Sequence, residues 1–290
     1  MHKFIVPVWR VMRVCYHTFI INDYGQKSIY NEGGFSGGSD KQIIFAVLLC
    51  EILILWFHKK EYSVRKDAFR RENDMDLLRE QMKREQEDKL ERYRILNRNV
   101  RKGETLFTGS SLMEQFPINE LLMTNDMRQV IYNRGIGGFT TTDMLQHMEE
   151  MVFGTEPSRI FINIGTNDIG NPAYRLEDLL ERYARILSII QERLPEAEIY
   201  VMAYYPVNET DKIPDGEWGK TAFVTRTNEN ITFANDAVEK LVKRMGCRFI
   251  NVNEGLTDED GKLKKEFTIE GIHMYANGYQ VVLDNLKQYL

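Results

Sequence analysis

The sequence has few cysteines and no excess of positive charge, and each of these features argues against a class of protein. Three cysteines in 290 residues, Cys15, Cys50 and Cys247, lie far apart without a Cys-x-x-Cys spacing, which argues against a disulfide framework and a cysteine zinc site. Lys and Arg number 38 against 43 for Asp and Glu, so the chain lacks the basic excess typical of nucleic-acid binding. The sequence therefore predicts neither a metal site nor a nucleic-acid partner.

Other catalytic and nucleotide-binding signatures are missing or incomplete. No Gly-x-x-x-x-Gly-Lys-[Ser/Thr] phosphate loop occurs, and GIGGFT, residues 135–140, lacks the third glycine of a dinucleotide fingerprint. GFSGG, residues 34–38, formally matches Gly-x-Ser-x-Gly, but no strand precedes it, so we do not interpret it as a nucleophile elbow. The adjacent Glu149 and Glu150 are interpreted as a solvated helix face rather than a glycosidase pair.

Long apolar runs are limited to one segment. Residues 43–57, IIFAVLLCEILILWF, carry a single charge, Glu51, although a spanning helix needs about 20 apolar residues. We interpret the run as a single-pass membrane anchor, because the segment that follows is too polar to cover it. A buried or partner-binding helix is the alternative, and residues 1–42 carry no motif that indicates a role. Basic residues after the run favour a cytoplasmic C-terminal part: Lys59, Lys60, Arg65, Lys66, Arg70 and Arg71.

The segment after the apolar run, residues 58–102, has the composition of a long exposed helix. Gly and Pro are absent from residues 58–100, which are rich in strong helix formers with charges of both signs. Met75, Leu78 and Met82 recur at helical spacing, but charged residues interrupt the seam farther on. This pattern predicts a charged helical stalk or a weak coiled coil rather than a docking site, and it leaves weak self-association open.

From residue 103 to residue 290, strand patterns alternate with helix patterns. The strand candidates are ETLFTG, QVIYNRG, RIFINIG, EIYVMAY and CRFINV. Amphipathic helical stretches such as RLEDLLERYARILSIIQERL lie between them. Repeated strand and helix units predict a parallel sheet with helices on both faces. Ligands of such sheets bind beyond the carboxyl ends of the strands.

Polar residues follow several of these predicted strands. A serine hydrolase needs a nucleophile, a base, a carboxylate that orients the base, and donors for the oxyanion. Candidate groups lie in GSS, NRGIGGFTT, GTND and EGIH. Of the five histidines, His273 is the one predicted in a loop beside a carboxylate, whereas His147 falls in a predicted helix and the other three precede residue 103.

The order of these blocks resembles that of the SGNH (GDSL) hydrolase family. It runs Gly-x-Ser-Leu, Asn-x-Gly-Ile-x-Gly-x-Thr-Thr, Gly-Thr-Asn-Asp, and then an acidic residue three positions before a His, with Gly-Tyr after it. The middle blocks are similar to platelet-activating-factor acetylhydrolase-like and lysophospholipase-like bacterial members. The resemblance covers residues 103–290 and implies a flavodoxin-like three-layer α/β/α sandwich with a five-stranded parallel sheet. It also implies ester hydrolysis without metal or organic cofactor.

Carried over to this sequence, the resemblance implies a complete set of site residues. Ser111 matches the nucleophile and His273 the general base, while Glu270 stands where the family usually has the Asp that orients the base. The implied oxyanion donors are the backbone N–H groups of Ser111 and Gly138 and the side-chain amide of Asn167. Taken alone, each block also fits an ordinary structural role: a helix cap, a tight turn, an Asx-capped turn or a surface histidine.

Two positions depart from the family pattern. Glu270 keeps the negative charge but is one methylene longer than Asp, so it orients the imidazole only if the backbone or the rotamer adjusts. Ser110 stands where the GDS signature has Asp, whose role is mainly structural hydrogen bonding, and a hydroxyl can replace part of that role. We interpret the block as a variant of the signature.

The resemblance favours a membrane-tethered serine esterase that acts on small-acyl, in particular acetyl, esters of a carbohydrate or a lipid-like alcohol. The sequence does not choose between these alcohols. Two alternatives remain: a catalytically silent SGNH domain used as a membrane-tethered binding module, and a membrane-proximal structural protein whose functional element is the helix of residues 58–100. The long connection of residues 204–226 is either a wall of the substrate site or a surface loop with a few anchoring aromatic residues.

Overall fold

The computed structural model describes residues 39–290, together with most of their side chains. The predicted N-terminal segment, residues 1–42, therefore lies outside the described residues except for its last four. The chain divides into two compact units between Asp76 and Leu77. The functional residues predicted from the sequence all fall in the second unit, Leu77–Leu290.

One helix, α1, runs from Ser39 to Asn97, over 59 residues without Gly or Pro. The predicted apolar and charged segments are thus consecutive parts of a single helix. Most side chains of the predicted membrane segment, residues 43–57, lie outside the described set. Among the side chains that the structure does describe, no helix is long and apolar enough to cross a membrane.

The last turns of α1 belong to the C-terminal unit, although the sequence predicted them in a stalk ending at residue 102. Leu90 is 4% exposed and lies in the same core cluster as buried residues of the sheet. Arg94 donates a 2.8 Å hydrogen bond from Nε to Glu150 Oε1. Glu150 is therefore buried, and its prediction as part of a solvated helix face is wrong because α1 covers it.

The sheet has five parallel strands in the order β2-β1-β3-β4-β5. The strands are β1 (Thr105–Gly109), β2 (Ile131–Gly135), β3 (Arg159–Asn163), β4 (Glu198–Met202) and β5 (Arg248–Ile250). In this register Gly109 at the end of β1 is paired with Gly135 of β2 and with Asn163 of β3. Three strand ends therefore meet at one edge of the sheet, and the loops that leave them share one surface.

Ten helices accompany this sheet in residues 39–290. After α1 they are α2 (Ser111–Glu114), α3 (Ile118–Thr124), α4 (Thr141–Gln146), α5 (Met148–Met151), α6 (Thr166–Ile169), α7 (Leu176–Arg193), α8 (Glu217–Thr221), α9 (Asn228–Arg244) and α10 (Ala276–Leu286). Short 3-10 turns lie at Phe153–Thr155 and Lys287–Tyr289. Helices α7, α9 and α10 are amphipathic, and each places its apolar face against the sheet.

Alternation along the strands produces one hydrophobic core on each face of the sheet. On β1, Leu106 belongs to the core shared with α7 and α9, while the next residue, Phe107, belongs to the core shared with α3 and α10. Ile160 and Phe161 divide in the same way on β3. Each such side chain contributes about 1.5–3 kcal/mol when fully buried. The three-layer α/β/α sandwich with a five-stranded parallel sheet, predicted from the sequence, is confirmed.

Candidate active site

Ser111 lies directly beyond the carboxyl end of β1, where it begins α2. Gly109 makes this turn with a φ of 153°, and a Cβ at that position would lie 2.0 Å from the carbonyl oxygen of Asn163. Only glycine lets β1 and β3 approach so closely. Ser110 follows, buried at 1% exposure, and its carbonyl accepts the N–H groups of Met113 and Glu114. Ser110 thus supports the turn through its carbonyl oxygen, whereas the hydroxyl of Ser111 takes no part in the turn.

The structure brings the hydroxyl of Ser111, the ring of His273 and the carboxylate of Glu270 into one hydrogen-bonded chain. His273 Nε2 lies 2.8 Å from Ser111 Oγ, although the two residues are 162 positions apart in the sequence. His273 Nδ1 lies 2.5 Å from Glu270 Oε1. The geometry suits an imidazole that takes a proton from the serine on one side while a carboxylate holds it on the other.

The longer side chain of Glu270 reaches His273 by folding back on its own loop. Its Oε1 atom also accepts the backbone N–H of His273 at 3.1 Å, so one oxygen binds both the ring and the main chain of the same residue. Burial raises the pKa of Glu270, but the hydrogen bond from His273 and its charge outweigh burial and leave the pKa below its ordinary value. Glu270 is therefore a carboxylate at neutral pH.

Gly138, the predicted oxyanion donor, lies in the loop that leaves β2. Its φ of 79° requires glycine, and its neighbour Gly137 is close enough to the nucleophile that a Cβ there would lie 3.8 Å from Ser111 Cβ. Within residues 39–290, neither the Gly138 nor the Ser111 N–H donates a hydrogen bond. Both backbone N–H groups therefore remain available in the described residues, and an oxyanion hole requires such free donors.

Asn167, on α6 after β3, has its amide group oriented by two neighbours. Its Nδ2 donates to the Phe139 carbonyl at 3.0 Å, and its Oδ1 accepts from Arg226 Nη2 at 3.3 Å. Because a guanidinium only donates, the amide oxygen must face Arg226 and the NH2 group must face the loop of Gly138. The second N–H of this NH2 group remains for a substrate oxygen.

Arg226 contacts Asn167 at this site, and the sequence did not predict that contact. It is 8% exposed and donates to the Thr166 carbonyl at 3.1 Å and to the Ala222 carbonyl at 3.3 Å, in addition to Asn167. Burial lowers its pKa. Gly170 makes room for it, because a Cβ there would lie 2.1 Å from Arg226 Nη2. Arg226 ends the long connection of residues 204–226, and nothing in the local pattern marked it.

Thr141 and Asp168 hold the loops that follow β2 and β3 together. Asp168 accepts the Thr141 backbone N–H at 2.9 Å and the Thr141 hydroxyl at 2.6 Å, and Arg182 Nη2 lies 3.1 Å from the same carboxylate. Asp168 is buried, and among the described residues its carboxylate bonds to Thr141 and Arg182 rather than to His273 or Ser111. Among the described residues no group of three or more His, Cys, Asp or Glu side chains could hold a metal ion.

The chain matches a family model and several known proteins. The model of the GDSL-like lipase/acylhydrolase family matches residues 117–281, a range that begins after Ser111. A Streptococcus pneumoniae structure, provisionally described as a platelet activating factor, is 34% identical with a TM-score of 0.67, covering 74% of this chain and 97% of that one.

Two curated relatives are more distant. The isoamyl acetate-hydrolyzing esterase of Saccharomyces cerevisiae is 23% identical over 184 residues, which are 60% of this chain and 74% of the yeast protein. The N-acylneuraminate cytidylyltransferase of Escherichia coli is 25% identical over 181 residues, or 62% of this chain. The chain spans only 38% of the length of that bacterial protein, whose name describes the whole of it.

Proposed function

Because the chain belongs to the GDSL-like lipase/acylhydrolase family and is an ester hydrolase of that family, we propose that it acts as a serine esterase with Ser111 as the nucleophile. The observation that carries this proposal is the hydrogen-bonded chain from Ser111 Oγ through His273 to Glu270, with contacts of 2.8 and 2.5 Å. A serine hydroxyl is a weak nucleophile, and an adjacent base activates it.

In the acylation step, Ser111 Oγ forms a bond to the ester carbonyl carbon while its proton passes to His273 Nε2. The carbonyl oxygen becomes an oxyanion, and the N–H groups of Ser111 and Gly138 and the amide of Asn167 stabilise it. When the tetrahedral intermediate collapses, the bond to the alcohol oxygen breaks and His273 gives that oxygen its proton. Glu270 stabilises the imidazolium that forms in between.

Deacylation repeats these steps with water in place of the serine. A water molecule gives a proton to His273 Nε2 and its oxygen bonds to the acyl carbon, so a second oxyanion forms in the same hole. The bond to Ser111 Oγ then breaks, the proton returns to Oγ, and a carboxylic acid leaves. Each donor of the hole therefore acts twice in one turnover.

We propose small-acyl esters, in particular acetyl esters, as the substrates, with a carbohydrate or a lysolipid-like alcohol. The name of the yeast relative, which hydrolyses an acetate ester, supports a small acyl group. The alcohol follows from the family resemblance alone.

Membrane attachment through residues 43–57 is also a proposal. Among the described side chains of this segment, Leu55, Trp56 and Phe57 are 68%, 53% and 51% exposed, and contiguous exposed apolar side chains mark interaction surfaces. The full chain should therefore remain in the pellet when membranes are extracted with alkaline carbonate. Recovery of the full chain in the supernatant would contradict attachment. A cytoplasmic side for the C-terminal unit, favoured by the basic residues, is tested by protease protection in sealed vesicles.

Turnover of p-nitrophenyl acetate by the full chain tests the proposed esterase. We expect p-nitrophenol release by the native protein and a rate lower on the order of 10⁴-fold or more from Ser111→Ala, whose folding is checked by circular dichroism. If the native protein shows neither turnover nor reaction with a serine-directed fluorophosphonate, the catalytic proposal is wrong, and the alternative of a catalytically silent binding module takes its place.

A further inference from the structure

We propose that Gln86, on α1, is a positioning residue that sets the direction of the Gly138 N–H in the oxyanion hole. The inference rests on the proposed esterase function and extends it to a residue outside the range that the family model matches, 117–281. Gln86 does not touch the serine; it acts through the peptide bond between Gly137 and Gly138.

The contact that carries the inference is a hydrogen bond from Gln86 Nε2 to the Gly137 carbonyl oxygen, 2.7 Å long. A peptide bond is planar and trans, so the carbonyl of one residue and the N–H of the next point in opposite directions. A donor that fixes the Gly137 carbonyl therefore also fixes the Gly138 N–H. Since the carbonyl points to α1, the N–H points away from α1.

This peptide needs such a support because glycine flanks it on both sides. Glycine rotates about φ and ψ with little steric hindrance, so the peptide between Gly137 and Gly138 can turn over more easily than most. A turned peptide would present a carbonyl oxygen to the substrate where the hole requires a donor. The hydrogen bond from Gln86 opposes that rotation.

A second contact, made by Glu114 of α2, holds the other side of Gly137. The Gly137 N–H donates to Glu114 Oε2 at 2.5 Å, and the other oxygen of Glu114 forms an ion pair with Lys89. Both polar backbone groups of Gly137 are thus bound, directly or through Glu114, to residues one turn apart on α1. In the described residues the Gly138 N–H is the group of this peptide that remains free.

The helix also lies tightly on the loop. A Cβ built on Gly138 would come within 2.9 Å of Gln86 Nε2 and 3.2 Å of Met82 Sδ. Tyr93, farther along α1, donates to the Gly135 carbonyl at 2.6 Å, and burial raises the pKa of Tyr93 to about 12, so it stays a donor at neutral pH. Helix α1 therefore packs directly against the loop of Gly138.

The test compares Gln86→Ala and Gln86→Glu with Gln81→Ala in the full chain. Gln81 is a matched control because it lies on the same helix and, among the described residues, its side chain bonds only to Glu85 of that helix, at 3.0 Å. For p-nitrophenyl acetate we expect kcat to fall about tenfold or more in Gln86→Ala, with KM within about twofold, because the lost interaction matters only when the oxyanion forms. The Gln86→Glu side chain has the same length but, as a carboxylate, cannot donate a hydrogen bond to the Gly137 carbonyl. The decrease in kcat should therefore be at least as large.

Binding of a boronic acid gives a second readout. Its tetrahedral adduct with the serine places an oxygen in the hole, so its affinity should fall by about the same factor as kcat/KM, while the affinity for acetate, a product, should stay unchanged. Gln81→Ala should match the native protein in every measurement. Should Gln86→Ala fail to fold, Gln86→Glu carries the same comparison.

Three results would overturn the inference. They are a native kcat in both Gln86 variants, a loss that appears in KM alone, and an equal loss in Gln81→Ala, which would indicate a general effect on the helix. A native protein without turnover or fluorophosphonate labelling is a different outcome, because it overturns the esterase proposal and this inference with it.

Discussion

On one side of the active site, which we call the triad side, Ser111, His273 and Glu270 hold one another by direct hydrogen bonds. On the other, the oxyanion side, Gly138 and Asn167 are held by residues that are not expected to touch the substrate. Gln86 binds the loop of Gly138 from 51 positions away, and Arg226 binds Asn167 from 59 positions away. Ser111, His273 and Glu270 thus bind one another directly, whereas the two residues of the oxyanion side are held by Gln86 and Arg226, which lie far from them in the sequence.

This difference has a consequence for how activity is lost. On the triad side, a change in any of the three residues removes one of these direct hydrogen bonds. On the oxyanion side, a donor can lose its direction through a change in α1 or in the connection that ends at Arg226, with every motif residue intact. Variants that separate the two sides therefore test the comparison directly.

The largest effect is expected for Ser111→Ala, on the triad side. Loss of the nucleophile should lower kcat/KM on the order of 10⁴-fold or more. Ser110→Ala should retain much of the activity, because the Ser110 hydroxyl is buried without a hydrogen-bond partner among the described residues. Steady-state kinetics of both variants decide between the two serines, and the reverse ranking would exchange their roles.

Glu270→Gln should follow, with a loss of about 10²- to 10⁴-fold, because an amide holds the ring but supplies no charge. A loss below about tenfold would mean that another group orients His273. Glu270→Asp restores the residue that the family usually has and should retain activity. It also loses a methylene that the contact to the His273 N–H now uses, so a small decrease relative to the native protein is expected.

The pH dependence of this comparison follows from the lowered pKa of Glu270. A carboxyl whose pKa is lower in the folded protein contributes above its ordinary pKa and loses the contribution only as pH falls through the lowered value. The free energy of unfolding should therefore lose the contribution of this carboxylate only below about pH 4, the ordinary range of a glutamate, and an NMR titration of the Glu270 carboxyl checks this directly. A titration midpoint at or above that range would contradict the lowered pKa.

Asn167→Ala, on the oxyanion side, should lower kcat by about 10²- to 10³-fold, the usual cost of one oxyanion donor. Asn171→Ala is the matched control, since Asn171 is exposed and, within the part of the chain that the structure describes, its side chain accepts only the nearby Ala173 N–H, at 2.9 Å. If Asn167→Ala retained native kcat, the side-chain amide would not belong to the oxyanion hole.

The smallest effect is expected for Tyr93→Phe, which removes the hydroxyl bound to the Gly135 carbonyl. A neutral hydrogen bond contributes about 1 kcal/mol to stability, so the free energy of unfolding should fall by about that amount and kcat by about two- to fivefold. Tyr62→Phe, at an exposed position of the same helix, should change neither. Identical unfolding curves for Tyr93→Phe and the native protein would remove Tyr93 from the support of the loop.

The sequence allowed the sheet and the triad side to be predicted for different physical reasons. Strand segments such as ETLFTG and CRFINV contain the observed Thr105–Gly109 and Arg248–Ile250, because buried parallel strands leave continuous apolar runs. Glu270 and His273 were paired because they lie three positions apart in a segment that resembles the family block. The roles assigned to these residues remain proposals.

Gln86 and Arg226 could not be predicted because each contacts backbone or amide oxygens far away in the sequence, and such contacts impose no local pattern. The composition of residues 58–102 predicts a charged helical stalk, in which Gln86 is one polar residue among many. The available signal in the sequence is Leu90, whose side chain is 4% exposed, but a single leucine in a charged segment does not distinguish a docked helix from a solvated one.

Mapping the fluorophosphonate adduct on the native full chain by peptide mass spectrometry tests the central claim most directly. We predict a single adduct on Ser111, absent from Ser111→Ala and slower to form in Glu270→Gln. An adduct on Ser110 or on any other residue, or no adduct with a protein that still hydrolyses the ester, would contradict the assignment of Ser111 as the nucleophile.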